Sequence, residues 1–202
     1  EVSLVVETMF KQKPAYEFVK AALLKGKHVV TSNKALVAAH GTELLQIARD
    51  RKVNFFFEAA VGGGIPVIRT LGTGYQGQVI TEITGILNGT TNYILTRMDR
   101  EGAEFGDVLA DAQRLGYAER NPEADIEGHD TCRKIAILSS LVTGKEVNFE
   151  DVYTEGISKI DSTDFRYASE LRASIKLVGS AQFAGSQVTV SVFPLLVSDE
   201  NP

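Results

Sequence analysis

The segment HVVTSNKALVAAHG, at residues 28–41, joins a predicted strand directly to a predicted helix. Its first four residues, His28–Thr31, contain the β-branched side chains that favour a buried strand. The helical pattern that follows extends from about residue 35 to residue 51 and has leucine and isoleucine as its apolar members. A strand that leads directly into a long helix is typical of proteins in which the two elements alternate around a parallel sheet.

Two further apolar runs flank this segment. Val2–Val6 precedes it and Val53–Phe57 follows it, and both predict strands. Between the first two strands a helical pattern begins at Pro14 and ends at Gly26, positions that these residue types favour in helices. The order strand–helix–strand–helix–strand predicts a parallel sheet with right-handed crossovers. This part of the chain therefore resembles the later half of a doubly wound nucleotide-binding domain.

After the three glycines at 62–64 the pattern changes. The predicted elements are helices at 65–71, 90–100, 107–115, 127–143 and 164–171 and strands at 78–87, 175–183 and 187–197. The last two strands are separated by Ala184-Gly185-Ser186, which is a hairpin signal. We therefore expect an α+β domain with a mixed or antiparallel sheet.

Composition and charge exclude several classes of protein. The chain has 202 residues, and 44% of them are hydrophobic, which is typical of a globular protein. Its net charge of −5 is unlike that of a protein that binds nucleic acid through a basic face. No apolar stretch approaches the roughly 20 residues that cross a bilayer. A single cysteine, Cys132, leaves no internal disulfide, so a reducing, cytoplasmic location is expected.

The first residues suggest a longer parent protein. The chain has no initiator methionine and begins within an apolar run, so we expect it to be a fragment. The glycines at 62–64 lack the spacing of a G-x-G-x-x-G phosphate loop. If the parent binds a dinucleotide, its phosphate loop is expected upstream of Glu1.

The segment AQRLGYAERNPEADIEGHDTCRK, at residues 112–134, carries the strongest chemical signal. Asp130 and Lys134 are four residues apart, so they share one face of a helix. One interpretation is an exposed ion pair of little consequence. The other is a functional pair, because the following residues are apolar and a lysine beside apolar surface can exchange a proton near neutral pH.

This segment resembles the signature of the homoserine dehydrogenase family. The positions that match are Ala112, Gly116, Tyr117, Ala118, Asn121, Pro122, Asp125, Ile126, Gly128, Asp130 and Lys134. Blocks at 28–41, 57–68, 85–95 and 155–157 resemble family blocks too. The resemblance implies an NAD- or NADP-dependent enzyme that interconverts L-homoserine and L-aspartate 4-semialdehyde, a step toward threonine and methionine.

The resemblance also implies an architecture: a partial Rossmann-type sheet over residues 1–64, followed by a substrate and dimerisation domain over 65–202. A homodimer is therefore expected. Apart from the small-molecule substrate, we expect no partner such as nucleic acid or a membrane.

Roles for individual residues follow from the resemblance. Lys134 matches the lysine that exchanges a proton with the substrate oxygen, and Lys34 matches a catalytic lysine between nicotinamide and substrate. Glu119 and Asp130 match substrate-binding acids. Asp125 is a third such acid, ranked lower because Ala124 stands where some family members carry a further acidic residue.

Cofactor and cation sites are implied in the same way. With Lys34, the residues expected on the cofactor side are Thr31, Ser32 and Asn33, at a strand end. A sodium site formed by main-chain carbonyls is expected at Glu58, Val61, Gly63 and Ile65. The alternative for this last segment is a glycine-rich turn chosen only for its backbone angles.

Other interpretations remain open at this stage. The chain could be catalytically incomplete on its own and act only as a substrate-binding or dimerisation module of a larger enzyme, one that could also contain an aspartate kinase domain. Cys132 is expected to be a packed small side chain, and the three histidines do not form a metal-ligand pattern. The segment Asn88-Gly89-Thr90 is expected to start a helix with Asn88 or Thr90 as its cap, and its backbone N–H groups are a second candidate contact for the substrate.

Overall fold

The computed structural model describes residues 2–9, 11–75 and 77–200. The strands are β1 (Leu4–Glu7), β2 (His28–Thr31), β3 (Phe55–Phe56), β4 (Glu82–Gly85), β5 (Tyr153–Thr154), β6 (Ala173–Ala184) and β7 (Gln187–Ser198). The helices are α1 (Gln12–Leu24), α2 (Lys34–Arg51), α3 (Val67–Arg69), α4 (Gly89–Glu101), α5 (Phe105–Arg114), α6 (Glu123–Ile126), α7 (His129–Thr143) and α8 (Ser162–Glu170).

The chain divides into two compact units. The first contains the residues up to Thr81 together with Arg133–Asp151, and the second contains Glu82–Cys132 together with the residues from Val152 onward. One of the points where the chain passes from one unit to the other therefore falls within α7, between Cys132 and Arg133. The division of the chain at residue 64 stays a prediction. None of the helices described is long and apolar enough to span a bilayer.

The first unit is built on a parallel sheet in the order β1-β2-β3. Helices α1 and α2 connect its strands in the predicted alternation, and they bury apolar side chains such as Leu23 and Leu36. In the register of β1 and β2, Glu7 lies opposite Thr31, so the carboxyl ends of both strands meet at one edge. The predicted partial parallel sheet is confirmed.

The second unit contains a mixed sheet in the order β4-β6-β7-β5. The pairs β4–β6 and β6–β7 are antiparallel, and β5 lies parallel to β7. The long hairpin β6–β7 closes where Ala184 pairs with Gln187, and Gly185 supplies the positive φ of the turn at +62°. The predicted α+β domain with a mixed sheet is therefore confirmed.

Some predicted boundaries were wrong. The helix predicted from residue 127 begins at His129, because Gly128 adopts a φ of +80° that interrupts the helix. The residues just before it form the separate short helix α6, where the sequence predicts no helix. The strand predicted over 78–87 is limited to β4.

Candidate active site

A pocket of about 470 Å³ lies at the carboxyl edge of the parallel sheet. Residues that follow each strand line it: Thr8 and Met9 after β1, Ser32–Ala35 after β2, and Gly62 and Gly63 after β3. Open parallel sheets bind ligands at this edge, and a volume of this size suits a small molecule or part of a cofactor.

Three cationic side chains line this pocket. Lys34 is the first residue of α2, and Arg133 and Lys134 are neighbours on α7. Both lysines are half-buried. The structure therefore brings together the two lysines that the sequence singled out from distant segments. The arrangement suits an anionic ligand group, and it provides ammonium groups that can donate protons.

Sequence reasoning missed Arg133. Its guanidinium lies 5.7 Å from the ring centroid of Phe149, a cation–π contact within the first unit. The sequence does indicate that Arg133 is near the site, because it directly precedes Lys134, the lysine that matches the family pattern.

A hydrogen-bond network builds the turn that carries Lys34. The hydroxyl of Thr31 donates to the carboxylate of Glu7, and the backbone N–H of Asn33 donates to the Thr31 hydroxyl oxygen at 2.9 Å. The side-chain oxygen of Asn33 accepts from the N–H of Leu36 at 3.1 Å and so caps α2. Thr31, Asn33 and Glu7 are buried. Their side chains therefore hold the turn, while Ser32 is exposed at the pocket.

Glu7 is a second residue that sequence reasoning missed. It is 4% exposed, and its carboxylate accepts hydrogen bonds from the backbone N–H of Met9 and from Thr31. The sequence does mark this residue, because Glu7 is the acidic last residue of the otherwise apolar strand Leu4–Glu7. A buried acid at the end of such a strand needs hydrogen-bond donors nearby.

Two of the predicted substrate-binding acids meet in the second unit. The amide nitrogen of Asn88 donates to Asp125 Oδ1 at 2.8 Å and to Asp130 Oδ2 at 3.0 Å. Asp130 is 2% exposed, whereas Asp125 is half-buried. Of the two predicted caps, Asn88 and Thr90, the cap is Asn88, because its Oδ1 accepts from the N–H of Thr91 at the start of α4.

Glu119 lies exposed on the loop between α5 and α6. Its segment is anchored through the backbone: the hydroxyl of Thr90 donates to the carbonyl of Tyr117 at 2.8 Å, and the side chain of Gln113 donates to the carbonyl of Glu119 at 3.1 Å. The loop is thereby fixed to the same helix start, in α4, that holds the two aspartates.

The glycine-rich loop proposed for a cation has a defined shape. The carboxylate of Glu58 accepts from the N–H groups of Ile68 and Arg69, both at 2.9 Å, so it caps the short helix α3. Val61 is buried and Ile65 is exposed. Gly63 has a φ of +59°. In the part of the chain that the structure describes, no group of three or more histidine, cysteine or acidic residues could hold a metal ion.

Comparison with known proteins assigns the family. A family model described as "Homoserine dehydrogenase" matches residues 66–202, and one described as "Homoserine dehydrogenase, NAD binding domain" matches residues 1–58. The chain belongs to the homoserine dehydrogenase family. The resemblance inferred from the 112–134 segment is thereby confirmed.

Individual family members match throughout the chain. Homoserine dehydrogenase from Bacillus subtilis (strain 168) is 44% identical over 202 residues, which are 100% of this chain and 47% of that protein. The crystal structure of a homoserine dehydrogenase from Thiobacillus denitrificans superposes with a TM-score of 0.95 at 47% identity, covering 99% of this chain and 46% of that one. A hyperthermophilic archaeal homoserine dehydrogenase in complex with NADPH gives a TM-score of 0.85 at 31% identity, covering 99% and 57%. The chain thus spans about half the length of the curated homoserine dehydrogenases that it matches.

Proposed function

We propose that the protein carrying this chain is a homoserine dehydrogenase. It interconverts L-aspartate 4-semialdehyde and L-homoserine with NAD or NADP, in the biosynthesis of threonine and methionine. The observation that carries the proposal is the presence of Lys34 and Lys134 in one pocket, at the carboxyl edge of a parallel sheet.

The pocket fits part of a nicotinamide dinucleotide. It lies where open parallel sheets bind such cofactors, and its cationic side chains suit an anionic partner. Ser32 and Lys34 line the pocket after β2 and would face the cofactor. Asn33 also lines the pocket, and the side chains of Thr31 and Asn33 hold the turn there. The NADPH bound to the archaeal relative supports the same choice. When bound, the reduced cofactor supplies the hydride.

Lys134 and Lys34 are the proposed catalytic residues. Reduction of an aldehyde leaves negative charge on the substrate oxygen, which needs a proton or a cation within hydrogen-bond reach. Lys134 donates that proton and takes it back in the reverse direction. Lys34, from the same pocket, stabilises the charge on the oxygen.

The acids of the second unit are the proposed substrate-binding residues. Asp130 and Asp125, bridged by Asn88, together with Glu119 offer carboxylates to the ammonium or hydroxyl of an amino-acid substrate. The proposed binding group Asp130 and the proposed proton donor Lys134 stand four residues apart in the sequence of α7.

A monovalent cation, sodium, is proposed at the glycine-rich loop. Backbone carbonyls are suitable ligands for a hard cation, and Glu58, Val61, Gly63 and Ile65 would supply them. The Glu58 carboxylate is engaged by two N–H groups, so the oxygen proposed for the ion is the main-chain carbonyl of Glu58, which also accepts the N–H of Val61 at 3.4 Å. Activity that does not change when sodium is exchanged for a large organic cation would contradict this site.

A homodimer, a cytoplasmic location and a domain boundary at residues 64–65 complete the proposal. The exposed apolar residues Leu195 and Leu196 on β7, 38% and 49% exposed, support an interface on the second unit. Light scattering that gives a monomer mass for the full-length protein would contradict the dimer.

The function is tested by steady-state kinetics on the full-length protein. We expect homoserine-dependent reduction of NAD or NADP, and we expect Lys134→Ala to lower kcat by about 10²-fold or more, the scale of a lost general acid. Lys159→Ala, which removes an exposed lysine outside the pocket, is the matched control and should retain wild-type rates. Near-normal turnover of K134A would contradict the assigned role.

A further inference from the structure

We propose that Asn88 is a positioning residue that holds Asp125 and Asp130 together as one substrate-binding pair. The inference rests on the proposed function, which makes these acids the groups that bind the amino-acid substrate. Asn88 is not one of the residues proposed to touch the substrate or the cofactor. It acts through the carboxylates of Asp125 and Asp130.

The orientation of the Asn88 amide is fixed by the helix that it caps. Its Oδ1 accepts from the backbone N–H of Thr91 at 2.8 Å and from the Thr91 hydroxyl at 3.0 Å. Since a backbone N–H can only donate, the amide oxygen has to face α4, and the NH₂ group has to point the other way. The start of the helix therefore aims two N–H donors away from itself.

The two carboxylates accept those two donors. Asp125 Oδ1 lies 2.8 Å and Asp130 Oδ2 lies 3.0 Å from Asn88 Nδ2. Because both oxygens bond to one nitrogen, the two acidic groups are held close together, although they stand on the separate helices α6 and α7. Neutral side chains with a single donor cannot make this bridge.

Electrostatics favours a bridge between the two acids. Asn88 and Asp130 are 6% and 2% exposed and Asp125 is half-buried, so water screens the repulsion between the acids only in part. Like charges in such a site repel, and charge-assisted hydrogen bonds from one neutral amide offset that repulsion. The result is a pair of carboxylates at fixed separation, which suits the orientation of a substrate ammonium.

The chain offers substitutions that separate bridging from capping. Ser and Asp cap helices about as well as Asn. N88S keeps the helix cap and removes the amide NH₂ group that bridges the two aspartates. N88D keeps the cap and the shape of the side chain, and it adds a third carboxylate beside those of Asp125 and Asp130. N148S is the matched control, because the exposed Asn148 also accepts a backbone N–H and donates to a carboxylate, that of Asp151.

Kinetics on the full-length protein is the first readout. We expect N88S to raise the KM for homoserine by roughly 10-fold or more, the scale of a misplaced binding group, and N88D to raise it further. The KM for the nicotinamide should not change, and N148S should behave as wild type. An N88S enzyme with wild-type KM for homoserine would overturn the proposal, as would equal losses for both substrates.

Thermal unfolding gives a readout that does not depend on activity. We expect N88D to unfold roughly 5 °C below N88S, because only N88D adds a like charge. The double variant N88D/D125N restores one amide–carboxylate bond and should recover much of that difference. Equal unfolding temperatures for N88S and N88D would overturn the bridge. A wild-type protein without homoserine-dependent turnover would instead remove the proposed function, and the thermal comparison would still test the bridge.

Discussion

Replacing Thr31 by valine tests the network that shapes the turn before α2. Valine has nearly the shape of threonine but has no hydroxyl. The change therefore removes the donor to the buried carboxylate of Glu7 and the acceptor for the N–H of Asn33, and it leaves every charge in place.

The size of the effect follows from the two lost hydrogen bonds. A hydrogen bond to a charged group contributes about 1.5–3 kcal/mol, and a buried N–H left without a partner costs about 1–3 kcal/mol. Thr31 and Glu7 are 2% and 4% exposed, so water cannot easily replace the lost partners. Allowing for local relaxation, we expect the free energy of unfolding to fall by about 3 kcal/mol.

Urea denaturation of the full-length protein measures this difference. Thr189→Val is the control, because Thr189 is an exposed threonine on β7 and its replacement should change stability by less than about 0.5 kcal/mol. We also expect weaker nicotinamide binding by T31V, since Ser32 and Lys34 lie on the same turn. A loss for T31V no larger than that for T189V would refute the reasoning.

Two further predictions concern the second unit. A Cβ at Gly156 would lie 2.3 Å from the backbone oxygen of Ile126, so we expect Gly156→Ala to lower the free energy of unfolding by about 3 kcal/mol. The control is Gly106→Ala on α5, where a Cβ would enter open space and should not destabilise the protein. Equal urea midpoints for the two variants would contradict this prediction. Hydrogen bonds from the backbone N–H of Thr163 and its neighbour hold the pKa of Asp161 below its ordinary 3.8. The ionised carboxylate therefore stabilises the fold above pH 3.8, and this contribution is lost as the pH falls through its lower folded pKa. Asp161→Ala should unfold earlier in urea than wild type at pH 7, and the difference should narrow at low pH. A difference of the same size at both pH values would contradict the assignment.

Much of the fold could be predicted because its signals are local. The alternation of apolar strands with helical patterns over residues 2–57 is sufficient to indicate a parallel sheet, and Gly185 marks the hairpin of the second sheet. The break between α6 and α7 could not be predicted in this way. It depends on Gly128, whose Cβ position would lie 3.1 Å from Thr154, a residue distant in the sequence.

The candidate site also has features that the sequence predicts and features that depend on contacts between distant residues. Lys34 and Lys134 could be singled out from motifs, but their meeting in one pocket depends on how the strands and α7 pack. The roles of Glu7 and Asn88 depend on hydrogen bonds to residues far along the chain, Thr31 and Asp130 among them. Periodicity and spacing report which residues share a face, and they carry no information about such partners.

The central claim, that two lysines from distant segments serve one reaction, is tested most directly by a double-mutant cycle. The measurement is kcat/KM for homoserine in the wild-type protein, K34A, K134A and the double variant. Residues that act on the same reacting oxygen are not independent, so we expect the double variant to be little worse than the poorer single variant. Losses that multiply in the double variant would show that the lysines act separately, and they would contradict the account.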